Sequence, residues 1–150
     1  MSITHANPVH TNTLPTPRPY VLKQDHLQKE SITQEKTESD NKEDKNYILC
    51  RTCRRIITEP TARIDVQGSH KHVFFNPMGI VFEIGCFSSA TGCIQSGPLT
   101  YEFSWFDGYA WNICLCSSCN AHLGWYYQST TGSAFFGLIL SQLEEGPVGQ

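Results

Sequence analysis

Two pairs of cysteines in this chain have the spacing of metal-binding turns, here called knuckles. Cys50 and Cys53 form one C-x-x-C pair, and Cys116 and Cys119 form a second. Each pair brings two thiolates onto one tight turn, and zinc binds four such soft ligands in a tetrahedron. Four thiolates leave no open position for water or a substrate. We therefore expect one structural Zn²⁺ on these four cysteines and no catalytic metal.

The stretch between the two pairs is longer than the gap within a zinc ribbon. The metal is therefore expected to join the start of a domain to a late hairpin. A pair of redox dithiols is the alternative, but no βαβ pattern surrounds either pair. The nearby side chains of Arg51, Arg54 and Arg55 are expected to lower the pKa values of the thiols and to balance part of the cluster's negative charge.

The other cysteines are interpreted as structural. The chain has seven cysteines, and an odd number argues against a fully paired disulfide framework. Cys114 is predicted to be a small core residue. Cys86 and Cys93 flank one loop, which leaves open that they approach each other. A catalytic thiol needs a nearby base, and nothing local marks one, so His122 is predicted to be a hydrogen-bonded structural residue.

Net charge and hydrophobicity limit the cellular locations and the classes of binding partner to be expected. The net charge of -3 gives no reason to expect a nucleic acid or an anionic membrane as partner. The N-terminus lacks the apolar segment of a secretory signal. The longest apolar stretch, residues 134–140, is far shorter than the roughly 20 residues that span a bilayer. These features predict a cytoplasmic protein with reduced thiols.

Composition changes near residue 47. Residues 1–46 are polar and rich in proline, with too few apolar side chains to offset the entropy of ordering. We expect a disordered tail over 1–46 and one folded domain over 47–150. In that domain short β-branched and aromatic runs alternate with turn residues, which predicts antiparallel sheet in a sandwich or barrel-like arrangement. The predicted strands cover residues 63–66, 72–75, 80–87, 100–105, 109–114, 121–127 and 134–140.

Turns and loops are predicted between these strands. Gln67-Gly68-Ser69 predicts a turn, and Asn76-Pro77-Met78-Gly79 predicts a stronger one. A loop is expected to pass through Gly92 and Gly97-Pro98.

The three tryptophans are close together in the sequence. Trp105, Trp111 and Trp125 lie late in the domain, and Tyr127 shares a strand face with Trp125. Large aromatic residues are usually core residues. The alternative is a cage whose aromatic walls bind a flat or cationic small ligand, with backbone donors and acceptors at its rim.

Taken in order, the motifs of the domain resemble the CULT domain, the thalidomide-binding domain of cereblon and of stand-alone bacterial proteins. The resemblance covers residues 47 to about 143. The motifs that carry it are Cys50-x-x-Cys53, Asn76-Pro77-x-Gly79, the run SWFDGYAW from Ser104 to Trp111, Cys116-x-x-Cys119, His122-Leu123-Gly124-Trp125 and Phe136-Gly137-Leu138.

The resemblance implies an all-β, β-tent fold. In that fold two antiparallel sheets meet at a steep angle and are pinned by the four-cysteine zinc site. It also implies a ligand cage in which Trp105, Trp111 and Trp125 are the walls and Tyr127 is the base. Members of the family bind cyclic imides there, notably the glutarimide ring of thalidomide-type drugs, and uracil-like rings.

Backbone groups beside the cage complete the implied site. By the same resemblance, the main-chain carbonyl of Phe103 accepts a hydrogen bond from the imide N–H, and the main-chain N–H of Trp105 donates one to an imide carbonyl. Asn76 contacts whatever protrudes from the ring.

Some features depart from the family pattern. Phe103 stands where animal members have a histidine, and Asp107 replaces the common proline. Residues 1–46 are too short and polar to supply the Lon-like domain and ubiquitin-ligase attachment of cereblon, so ligase activity is not expected. The short layout is closer to that of the bacterial members.

The expected function is a non-enzymatic module that holds a cyclic imide, either free or at the C-terminus of a protein. Two alternatives stay open at this point. One is a protein-docking module that uses the aromatic face. The other is an enzyme that opens such rings, for which Glu102 and Asp107 are the only carboxylates near the cage.

Overall fold

The computed structural model describes residues 45–149. The predicted tail over 1–46 therefore lies outside the described residues, except for its last two positions. The described part is all-β, as predicted, with two short 3₁₀ turns at Pro60–Ala62 and Leu140–Gln142. Its strands are β1 (Asn46–Cys50), β2 (Ile56–Thr58), β3 (Lys71–Phe75), β4 (Val81–Phe87), β5 (Cys93–Thr100), β6 (Tyr109–Cys116), β7 (His122–Ser129), β8 (Ala134–Ile139) and β9 (Leu143–Pro147).

The strands form two antiparallel sheets, which confirms the predicted fold class. The small sheet has the order β2-β1-β9, and the large sheet has the order β3-β4-β8-β7-β6-β5. Every strand pair in both sheets is antiparallel. Neither 3₁₀ turn within residues 45–149 is long and apolar enough to cross a membrane.

Most strands of the large sheet lie where alternation of side chains predicts them. β3, β4, β6, β7 and β8 each overlap a predicted strand. Both predicted turns are also present, closed by the bridge between Val66 and Ser69 and by a 2.9 Å hydrogen bond from Gly79 N–H to the Asn76 carbonyl. Residues 63–66 form only isolated bridges rather than a strand.

Two predictions around β5 are wrong. The expected loop at Gly97-Pro98 lies inside β5, whose pairing with β6 shifts register between Ser96 and Thr100. Gly97 has a φ of 80°, which a bulge accommodates, and β5 is at the edge of its sheet, where proline removes no ladder hydrogen bond. Of the expected strand over 100–105, only Thr100 lies in a strand, at the end of β5. The rest is a turn, in which the Ser104 N–H donates to the Tyr101 carbonyl over 3.2 Å.

The large sheet divides the core into two clusters. One face of the sheet packs with the small sheet through residues such as Phe87, Leu123 and Leu138. The other face carries an aromatic cluster that includes Phe106 and Phe135. β6, β7 and β8 contribute to both clusters. Alternation of side chains explains this for β6 and β8. In β7 the pairing with β6 is irregular next to Leu123, so Leu123 and Trp125 lie in different clusters although they are two residues apart.

One glycine sets the approach of β7 to β8 beside Trp125. Gly124 has a φ of 150°, and a Cβ atom there would overlap the carbonyl oxygen of Gly137 on β8. A residue with a side chain would push the two strands apart at this point. Gly124 therefore fixes the position of the strand segment that carries Trp125.

Candidate metal centre and aromatic cavity

The four predicted metal ligands form one cluster. Cys50 ends β1 and Cys116 ends β6, while Cys53 and Cys119 lie in the turns that follow. All four Sγ atoms lie within 4.8 Å of one another. Cys50 and Cys119 are 3.7 Å apart, and Cys53 and Cys116 are 3.6 Å apart. The cluster therefore connects the small sheet to the large one.

The two knuckles have the same backbone conformation. In the first, the N–H of Arg54 donates to the Cys50 carbonyl over 2.7 Å, and in the second the N–H of Asn120 donates to the Cys116 carbonyl over 2.9 Å. Arg54 and Asn120 both adopt a left-handed conformation, with φ values of 62° and 60°. The repeated turn presents two thiols in the same way from each sheet.

The donor set and spacing fit a tetrahedral metal ion. With metal–sulfur bonds of about 2.3 Å, the edges of a tetrathiolate tetrahedron measure about 3.8 Å. The measured sulfur separations of 3.6 and 3.7 Å are close to that length. Four thiolates are a donor set typical of structural zinc sites. The cluster can hold a metal ion, with Cys50, Cys53, Cys116 and Cys119 as its ligands.

The thiols of the cluster differ in their readiness to lose a proton. A hydrogen bond from the backbone N–H of Arg55 lowers the pKa of Cys53 to about 7, whereas burial raises the pKa of Cys116 to about 12. The sequence had suggested that the charges of nearby arginines lower the pKa values of these thiols, but no arginine charge contributes to the lowered pKa of Cys53. Two of the arginines bind other groups: Arg51 donates to the Leu143 carbonyl, and Arg54 forms an ion pair with Glu144 at 2.9 Å.

The remaining cysteines, Cys86, Cys93 and Cys114, lie outside the four-cysteine cluster. Cys86 is buried in the aromatic cluster, whereas Cys93 packs against the cluster shared with the small sheet, so the two do not come together. Cys114 is fully buried, as predicted. The imidazole Nε2 of His122 lies 3.1 Å from the Gly124 carbonyl, in agreement with its predicted structural role.

All six residues predicted for ligand binding line one cavity, together with one further residue, Pro77. The cavity has a volume of 180 Å³, below the roughly 300–1,000 Å³ of sites that enclose drug-sized molecules. It therefore has room for a single small ring. Its lining residues are Asn76, Pro77, Phe103, Trp105, Trp111, Trp125 and Tyr127.

Three separate segments bring these residues together. Trp111 on β6 is directly opposite Tyr127 on β7, and paired residues of antiparallel strands share a face. Trp125, two residues before Tyr127, projects to the same face. Trp105 comes from the turn region between β5 and β6, and Asn76 comes from the turn between β3 and β4.

Hydrogen bonds from two indoles to the backbone fix the walls. The Nε1–H of Trp105 donates to the Phe75 carbonyl over 2.9 Å, and the Nε1–H of Trp111 donates to the Glu102 carbonyl over 2.8 Å. Trp105 and Trp125 are in edge-to-face contact with ring centres 4.7 Å apart. Within residues 45–149, the ring of Trp111 makes no aromatic pair, which leaves space between it and the other two indoles.

Backbone groups beside the cavity are available for a ligand. Phe103 has a left-handed φ of 55°, which is strained for a residue with a side chain. The Phe103 carbonyl and the Trp105 N–H have no hydrogen-bond partner among residues 45–149. An acceptor and a donor two residues apart thus remain unpaired beside the aromatic walls.

The side chain of Asn76 is already partly engaged. Its Oδ1 accepts hydrogen bonds from the N–H groups of Met78 and Ile80, over 3.0 and 2.8 Å. Only the side-chain N–H groups of Asn76 are left to donate to a ligand. The asparagine is thus first a turn-forming residue, a role that its position before Pro77 and Gly79 could have suggested.

Two aromatic residues that support the walls were not identified from the sequence. Phe74 stacks on Trp105 with ring centres 5.0 Å apart, and Phe82 is in edge-to-face contact with Trp125 at 5.1 Å. Phe74 and Phe82 are directly opposite each other on β3 and β4. The alternation of side chains along β3 and β4 could have predicted that both rings lie on the same face of the sheet.

Comparison with known proteins supports the family assignment. No protein-family model matches the chain. Cereblon from Drosophila erecta is 32% identical over 115 residues, which cover 69% of this chain and 19% of the relative. Cereblon from Gallus gallus is 31% identical over 104 residues, covering 64% of this chain and 23% of the relative.

A solved structure was also matched. The Mis18 'Yippee-like' domain superposes with a TM-score of 0.48 at 14% identity, covering 70% of this chain and 98% of that domain.

The matched region is a cereblon-like CULT domain, and the chain belongs to that family. Its all-β fold and four-cysteine cluster agree with the assignment. The chain spans about a fifth of the length of the curated relatives it matches. The closer likeness to bacterial members stays a prediction.

Proposed function

We propose that this CULT domain binds cyclic imides in its aromatic cavity without transforming them. The observation that carries the proposal is the convergence of three indoles, Tyr127 and two unpaired backbone groups on one small cavity. Glutarimide is the ring that this arrangement suits best, and uracil-like rings share its polar edge. A cyclic imide at the C-terminus of a protein presents the same chemistry.

The shape and polarity of glutarimide match the cavity. The ring is small and nearly flat, with apolar methylenes and an edge that reads acceptor, donor, acceptor. Indole faces cover the methylenes, while the Phe103 carbonyl accepts from the imide N–H and the Trp105 N–H donates to an imide carbonyl. Because both partners are main-chain groups, the substitution of phenylalanine for histidine at position 103 leaves these two hydrogen bonds in place. The loss of one additional neutral hydrogen bond costs about 0.5–1.5 kcal/mol.

The lining of the cavity favours binding over catalysis. Hydrolysis of an imide needs a general base to activate water, and such a base must lie within hydrogen-bond reach. Of residues 45–149, those that line the cavity contribute no carboxylate, imidazole or thiol. Glu102 and Asp107, the two carboxylates nearest in sequence, do not line it. We therefore assign no catalytic residue.

Zinc has a structural role in this proposal. Zn²⁺ on the four cysteines would hold the turn after β1 against the turn after β6. β6 carries Trp111, and the second knuckle leads directly into β7, which carries Trp125. The metal thus stabilises the strands that form two walls of the cavity.

A titration of the zinc-loaded protein with glutarimide tests the proposal. We expect saturable binding to the wild-type protein and a loss of at least about tenfold in affinity for Trp111→Ala, with unchanged zinc content. Tyr101→Ala is a matched control, because Tyr101 is an exposed aromatic residue of the turn between β5 and β6 that does not line the cavity. Equal affinity in wild type and Trp111→Ala would contradict the cavity as the binding site.

A second measurement tests the absence of turnover. The zinc-loaded protein is incubated with glutarimide or uracil, and the solution is searched for the ring-opened product by mass spectrometry. We expect only unchanged ring. Product that depends on the protein would show that the module is an enzyme.

A further inference from the structure

A second, shallower hollow adjoins the aromatic cavity. It has a volume of 290 Å³ and shares four lining residues with the cavity. Phe75 and Ser104 line the hollow but not the cavity. The residues that line both are Asn76, Pro77, Phe103 and Trp105.

The hollow is flanked by unusually exposed aromatic side chains. Phe75 is 65% exposed and Phe103 is 68% exposed. Met78, in the turn next to Pro77, is exposed as well. Single exposed apolar residues are common on protein surfaces, but a contiguous group beside a cavity indicates a binding surface.

The polar side chains of the hollow already make hydrogen bonds within the protein. The Ser104 hydroxyl donates to the Phe106 carbonyl over 3.0 Å. The Asn76 Oδ1 already accepts two backbone hydrogen bonds. Among residues 45–149, no charged residue lines the hollow. With a ring in the cavity that takes the Phe103 carbonyl and the Trp105 N–H, only the side-chain N–H groups of Asn76 stay free there. A polar or charged occupant would therefore lose more hydration than it regains in hydrogen bonds, whereas an apolar group would lose little.

The hollow is rigidly connected to the wall of the cavity. The carbonyl of Phe75 accepts the hydrogen bond from the indole of Trp105. Phe75 lies on β3, whose neighbour Phe74 stacks on the same indole. A group in the hollow would thus lie at a fixed distance from a ring in the cavity.

We propose that the hollow is a specificity subsite for an apolar group attached to the ring. For a polypeptide that ends in a cyclic imide, the occupant is the side chain of the residue immediately before that imide. This inference rests on the proposed function, because it needs the ring to occupy the cavity. It adds that the domain binds more tightly those ligands in which an apolar residue precedes the ring.

Two peptides with a C-terminal glutarimide test the subsite. They differ only in the residue before the ring, which is phenylalanine in one and serine in the other, and bare glutarimide is measured in parallel. On the zinc-loaded protein we expect the phenylalanine peptide to bind about tenfold more tightly than the serine peptide. In Phe75→Ala this ratio falls to near one, and in Phe75→Leu it is largely restored.

Val73→Ala is the matched control. Val73 lies on β3 two residues before Phe75, is 59% exposed and does not line the hollow. The ratio of the two affinities should stay near ten in this variant. A ratio near one in the wild-type protein, or an unchanged ratio in Phe75→Ala, would overturn the subsite while leaving ring binding intact. If bare glutarimide and both peptides fail to bind, the proposed function itself is wrong.

Discussion

The cysteine cluster and the aromatic cavity are built in opposite ways. The cluster has four cysteine sulfur atoms as ligands, supplied by two turns of the same conformation. Each turn is short, and the residues within it determine its conformation. The cavity uses residues from three segments, and its shape depends on indole-to-backbone hydrogen bonds between them. A metal site of the first kind is closed, and each of its two turns depends mainly on its own residues. A ligand site of the second kind is open and depends on the fold around it.

The two regions are nevertheless connected through β6 and β7. Trp111 and Cys116 lie on the same strand, and Cys119 precedes the strand that carries Trp125. Loss of the cluster is therefore expected to disturb the cavity, whereas changes in the cavity should leave the cluster intact. Damage to the cluster should remove both functions, whereas damage to the cavity should leave the metal in place.

The largest effect is expected from Cys116→Ser. This change removes a buried ligand that ends β6, and loss of a structural metal removes its binding energy from the stability of the fold. We expect loss of most bound zinc and of cooperative thermal unfolding, measured by metal analysis and circular dichroism. Cys93→Ser, which changes a cysteine outside the cluster, should keep its zinc. Wild-type zinc content and Tm in Cys116→Ser would contradict the assignment.

Removal of the metal should also weaken the cavity. Chelation at a temperature where the apo protein stays folded is expected to reduce glutarimide affinity, because the turns beside β6 and β7 lose their anchor. Isothermal titration before chelation, after chelation and after reloading with zinc measures the effect. Full affinity in a folded, metal-free domain would break the link between the two regions.

An intermediate effect is expected from Gly124→Ala. The new Cβ would overlap the Gly137 carbonyl at a φ that disfavours side chains, so we expect a loss of about 3 kcal/mol in the free energy of unfolding. Gly132→Ala is the matched control, since Gly132 also has a positive φ but no atom lies near its Cβ position. That variant should lose only about 1 kcal/mol. Denaturant titration that gives equal losses would refute the close-approach argument.

A smaller effect is expected from Trp111→Phe. This change keeps an aromatic wall but removes the 2.8 Å hydrogen bond from the indole to the Glu102 carbonyl. The bond is worth about 0.5–1.5 kcal/mol, so glutarimide affinity should fall by roughly two- to tenfold while zinc content stays unchanged. Calorimetric titration of both proteins measures the change. A loss of zinc in this variant would show that the cavity also governs the metal site.

The same contrast explains what the sequence could predict. The knuckles were predictable because the ligands of each pair are three residues apart and their chemistry is specific. Strands such as β6 and β7 were predictable from alternation. The bulge in β5 and the turn containing Phe103 were not, because tertiary contacts override the β-propensity of residues 100–105 there. The small sheet was missed because β2 has only three residues and because β1 pairs with β9 at the other end of the domain.

The proposed recognition of the imide edge by main-chain groups can be tested with two ligands that differ at the imide nitrogen. Glutarimide and N-methylglutarimide have nearly the same shape, but the methyl group removes the N–H that would donate to the Phe103 carbonyl. Both are titrated into the zinc-loaded wild-type protein by calorimetry. We expect glutarimide to bind and the N-methyl compound to bind at least about tenfold more weakly. Equal affinity for the two rings would contradict it.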